Sequence, residues 1–102
     1  MIIVDITQGI QVGGFHFDVD TSGKAHRMLL ADRNCGEVDL LHHVISLDTT
    51  LDPEQISKTF LHEAIEAVVC YYCDNKVEHE RIEQLSFGLH QVMVSLGVRF
   101  GK

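Results

Sequence analysis

The chain has 102 residues, 45% hydrophobic and 23% charged, an ordinary balance for one globular domain with a single core. A net charge of -7 argues against nucleic-acid phosphate or an anionic membrane surface as a partner. No apolar run approaches a membrane span, Met1-Ile2-Ile3-Val4-Asp5 lacks the basic region of a signal peptide, and three cysteines make no disulfide framework, so the expected setting is the cytoplasm.

Met1 to Thr7 is rich in β-branched residues and reads as a first strand. Gln8-Gly9 and Gly13-Gly14 are turn signals on either side of Ile10-Gln11-Val12. Phe15 to Asp20 alternates cleanly, with Phe15, Phe17 and Val19 on one face, so a hairpin around Gly13-Gly14 is expected. After the loop Thr21-Ser22-Gly23-Lys24, the segment to Ala31 suits either a short strand or a helical turn. Arg33-Asn34-Cys35-Gly36 reads as a turn, Glu37 to Leu40 as a strand, and Val44 to Asp48 as the next strand. His42-His43 lies between them; adjacent residues on a strand point to opposite faces, so at most one can look toward a helix.

The segment Asp52 to Asn75 reads as the central helix. Asp52 suits the cap, Pro53 the first helical position, and Gln55 a capping box. Leu61, Ile65, Val68, Val69 and Tyr72 recur at helical spacing and predict the buried face. His62 and Glu66, four apart, stand one turn above each other on its flank, with Glu63 about 100° further round. This is His-Glu-x-x-Glu, close to the His-Glu-x-x-His of zinc hydrolases, in which two ligands on one turn hold the metal and the intervening Glu acts on water. Carboxylate oxygen is also a zinc ligand, so Glu66 alters the chemistry without excluding it. The same residues also suit a solvated helix flank that binds nothing.

Cys70-Tyr71-Tyr72-Cys73 falls in the last turns of this helix, where the dipole raises thiol pKa, so buried or half-buried thiols are expected there, or an interface between copies. A second helix is predicted from Val77 to Leu96, stopped by Gly97, with Ile82, Leu85, Leu89, Val92, Met93 and Leu96 as its core stripe. His79 and Glu83 share an adjoining line.

Strand Val44 to Asp48, then Thr59-Phe60-Leu61-His62-Glu63-Ala64-Ile65-Glu66-Ala67, then Ile82-Glu83-Gln84-Leu85-Ser86-Phe87-Gly88-Leu89-His90-Gln91-Val92 together resemble the small zincin-like metallopeptidase proteins of phages and prophages. The likeness spans roughly Gly36 to Leu96. It implies an α+β fold of minimal gluzincin type: a short twisted, mostly antiparallel sheet of three to five strands packed on two C-terminal helices. Residues 1–51 would be β-rich, 52–75 the active-site helix and 78–97 the second helix. By the same resemblance His62 is the first ligand, Glu63 the general base, Glu66 the second ligand and Glu83 the glutamate ligand, with His79 a competing third ligand. Zinc is the implied cofactor, with manganese or another divalent ion favoured if the set is His/Glu/Glu. The implied substrate is a peptide or protein, paired along the edge of strand Val44 to Asp48. The alternative is a non-catalytic accessory or interaction protein of the same phage type.

Overall fold

A computed structural model describes residues 1–102. Strand β1 (Ile2–Asp5) is followed by a hairpin of β2 (Ile10–Val12) and β3 (Phe15–Asp20). Gly13 and Gly14 occupy the two turn positions with φ of +62° and +83°, the conformation that a two-residue hairpin needs and only glycine adopts freely. The ambiguous segment after β3 is helix α1 (Gly23–Ala31), not a strand: the Ser22 side chain accepts from Ala25 N at 3.2 Å, and Ala25 and Leu29, four apart, are buried. The first 51 residues are therefore not purely β. Strands β4 (Gly36–Asp39) and β5 (Val44–Leu47) follow, joined by a turn in which His43 adopts φ +59°. Helices α2 (Pro53–Tyr72) and α3 (His79–Ser95) precede a last strand, β6 (Val98–Gly101).

The architecture is α+β. Four strands form one sheet in the order β2-β3-β5-β4, and β1 pairs with β6 in a separate two-stranded sheet. The sheets are mixed rather than mostly antiparallel: β2/β3 and β4/β5 are antiparallel, β3/β5 and β1/β6 parallel. A parallel pair needs a crossover, and α1 provides one between β3 and β5. The C-terminal residues form β6 beside β1, with Phe100 packed on Phe60 at 4.8 Å between ring centroids. No helix is long and apolar enough to cross a membrane.

The core joins Phe17, Ile45 and Leu47 of the sheet to Phe60 and Ala67 of α2. Here the helical faces differ from expectation. The line of α2 turned to the sheet is Phe60, Ala64, Ala67 and Tyr71; of the expected face Val69 is buried, whereas Val68 and Tyr72 remain 39% and 68% exposed. Two alanines let the helix lie close to the strands, so the shorter side chains take the inner line. On α3 the buried line is Ile82, Ser86 and His90, while Leu85, Leu89, Val92 and Leu96 of the expected stripe are exposed. Ser57 Oγ accepts from Phe100 N at 2.9 Å and lies 2.8 Å from His90 Nε2. Burial and the nearby Lys58 charge hold the His90 imidazole below its ordinary pKa, so the ring that shares this hydrogen bond with Ser57 is held neutral. One small hydroxyl thus ties α2, α3 and β6 together.

Candidate metal centre

The start of α2 follows from its sequence: Asp52 accepts from Gln55 N at 3.0 Å, and Pro53 is the first helical residue. Gln55 does not close a capping box; its amide reaches forward to Thr59 Oγ1 at 3.3 Å. Twenty residues of helix then place His62 and Glu66 mid-element. The end of α2 decides what meets them. Asp74 and Asn75 both take left-handed φ (+52° and +57°), and the Cys73 and Asn75 amides return to Val69 O. This tight reversal starts α3 at His79 and lays that residue against Glu66.

His62, Glu66 and His79 each offer a donor atom within 4.8 Å of the others. His62 Nε2 is 3.4 Å and His79 Nδ1 2.7 Å from Glu66 Oε1, and the two imidazole rings meet edge to face at 5.0 Å. Donors at 2.0–2.1 Å from a tetrahedral ion stand about 3.4 Å apart. The His62–Glu66 spacing already matches, and the His79–Glu66 contact needs to open by about 0.7 Å, within reach of a surface rotamer. Two imidazoles and one carboxylate are an ordinary donor set for a divalent ion, so these residues fit one. Glu83, the other expected third ligand, is not in the cluster; it lines the same cleft one turn further along α3.

Glu63 lies on the sheet side of His62 and is only 7% exposed. Its Oε2 is buried without a hydrogen-bond partner. Burial first, then the Glu66 charge, pushes its carboxyl up to about 7, against a smaller opposing effect of His79, with Glu37 adding to the rise. A buried orphan carboxyl titrating near neutrality is unusual in a merely structural helix, and it borders an open cleft of 320 Å³ shared with His62, His79 and Glu83.

The far wall of that cleft is the start of β4. A Cβ on Gly36 would stand 2.4 Å from Thr59 Cγ2, so glycine is what lets α2 pass this close to the strand. Strand β5 was the expected edge, but it is enclosed between β3 and β4. The sheet's edges are β2 and β4, and the one that borders the cleft is β4. Asp48 N bonds to Cys35 O at 3.0 Å, so by the alternation of an antiparallel ladder Gly36 and Val38 turn their backbone groups to the open side.

Sequence reasoning missed Lys58, Arg33 and Cys35, which also line the cleft. Lys58 stands one turn before His62, and that spacing was its only signal. His43 lies away from the cluster, stacked on Phe15 at 4.4 Å. Of the C-x-x-C pair, Cys70 is half-buried but Cys73 is exposed, and both thiols are free. No family model, no curated protein and no solved structure matches this chain, so the chemistry of the cleft has to be argued from its own residues.

Proposed function

We propose that the protein is a metal-dependent peptide hydrolase of zincin type, with His62, Glu66 and His79 holding a divalent ion and Glu63 as general base. The observation that carries this reading is the cluster of three donors, two of which, His62 and His79, line the same open cleft as Glu63, a buried, unpartnered carboxyl of near-neutral pKa. Two nitrogens and one oxygen favour zinc over the harder ions that a His/Glu/Glu set would attract. When bound, such an ion supplies Lewis acidity to a carbonyl and a water in the cleft. Glu63 takes the proton of the attacking water and delivers it to the leaving amine, and a carboxyl titrating near 7 is matched to both transfers. The open edge of β4 offers Gly36 and Val38 backbone groups to an extended peptide. Three free thiols are compatible with a reducing cytoplasm as its setting.

The test is calorimetry with zinc and manganese on chelator-stripped protein, beside His62→Ala, followed by a peptide-cleavage screen. Binding of one ion per chain, lost in the variant, supports the site; cleavage abolished by Glu63→Gln with metal affinity retained supports the mechanism. Absence of binding removes both. A second reading, a metal-binding accessory domain of phage type without turnover, is favoured by how deeply Glu63 is buried. Tight metal binding with no cleavage of any peptide would select it.

A further inference from the structure

Helix α3 carries two apolar lines, and the fold uses only one. Ile82, Ser86 and His90 face inward. About a quarter-turn round, Leu85, Leu89, Val92 and Leu96 follow each other at four, three and four residues and are 49%, 50%, 54% and 75% exposed. That is the a/d spacing of a helix seam. His79, Glu83 and Phe87 lie on the opposite flank, so the seam faces away from the cleft. At its C-terminal end it runs onto β1: Ile2 N bonds to Gly97 O, and Met1 and Ile2 are 67% and 65% exposed.

Three observations identify what covers this face. First, no Asp, Glu, Lys or Arg occurs from Gln84 to Val98, in a chain whose net charge is -7. Along this stretch the helix offers no charge to steer or hold a charged partner, and no side chain of it repels its own copy. Second, Gly88 stands mid-helix three residues after Leu85 and four before Val92, on the same side. A Cβ at Gly88 would meet nothing within 4 Å, so the chain's own packing does not require the glycine, although it weakens the helix. A close helix crossing does require a small residue there. Third, a folded monomer of this 11.5 kDa mass exposes about 5,800 Å², and this chain exposes 6324 Å². The whole chain thus exposes about 500 Å² more than its mass predicts, a surplus of the same order as the roughly 800 Å² per partner that a stable interface buries.

We infer that two copies of this chain associate through α3, related by a two-fold axis near Gly88, with both clefts facing outward. The seam is self-complementary, the condition for such an isologous contact. Sedimentation equilibrium of the full chain up to about 100 µM tests it, a level that populates an interface of ordinary size and quality. The wild type should be a dimer. Leu89→Glu and Gly88→Leu should each weaken association by about 30-fold or more while retaining the wild-type circular dichroism. Gly88→Leu is the decisive variant, because open space in the single chain accepts the side chain and only a crossing helix excludes it. A monomeric wild type, or a dimer that both variants leave intact, overturns the inference.

Discussion

Burial of Glu63 sets a specific cost on the metal-free protein. In the unfolded chain this carboxyl titrates near 4.5, and in the folded protein at about 7. Below pH 4.5 both states are protonated and the residue is neutral in its effect. Between 4.5 and 7 the unfolded chain ionises first, so stability falls as pH rises; above 7 the loss is complete. At about 1.4 kcal/mol per pKa unit, the full penalty is about 3 kcal/mol. Glutamine has the shape of the protonated acid and cannot ionise. With chelator present, Glu63→Gln should therefore match the wild type near pH 4 and exceed it by about 3 kcal/mol at pH 8, or about 15 °C in Tm for a chain of this size. Urea titrations followed by circular dichroism at a series of pH values would read the difference. A gap of equal size at every pH, or none at pH 8, would refute the assignment of the strain to an ionised, desolvated Glu63. A natural residue that destabilises its own fold at neutral pH is the pattern expected where activity and stability compete.

Other outcomes follow from particular contacts. Removing a ligand should cost far more metal affinity than removing a neighbour, so calorimetry should show a loss of about 100-fold or more for His79→Ala and little change for Glu83→Ala. The reverse order would make Glu83 the third ligand. Gly36→Ala should destabilise by about 1–3 kcal/mol through the collision with Thr59; adding Thr59→Ser, which deletes the colliding methyl, should recover most of it in the same urea titration. The buried Asp48 carboxylate accepts from Thr50 Oγ1 at 2.7 Å and Thr50 N at 3.1 Å and meets His26 Nδ1 at 2.8 Å. The Thr50 hydroxyl foremost holds its pKa below the usual carboxylate range. Its contribution is present above pH 4 and lost as pH falls through the depressed value, so Asp48→Asn should flatten the acid limb of the stability profile.

Much of this fold is legible locally. The Asp52-Pro53 start of α2 and the two-glycine hairpin turn are signals carried by residues at fixed offsets, and both act as read. The His62/Glu66 pair is legible for the same reason, since residues four apart on a helix must be neighbours. What is not legible depends on partners distant in the chain. Helix α2 has apolar residues on two lines, one through Phe60 and Tyr71, the other through Leu61 and Tyr72, and periodicity cannot say which the sheet will accept. Helix α3 repeats the ambiguity, with a more apolar line outside and one containing Ser86 and His90 inside. That His79 rather than Glu83 meets Glu66 hangs on two left-handed residues in the Asp74-Asn75 turn. The pairing of β3 with β5 is invisible until α1, which sequence left undecided, is known to be a crossover.

Strand β4 leaves an unpaired edge in solution, the usual starting point for sheet-to-sheet aggregation. Its sequence is Gly-Glu-Val-Asp, and the period of two puts Glu37 and Asp39 on one face, beside Asp20 and the single cation Lys24. Two such edges brought together would crowd their carboxylates, so like strands repel. A lysine- or arginine-bearing strand would meet the same carboxylates as counter-ions. The edge is thus guarded against pairing with its own kind, by two residues rather than by a lid.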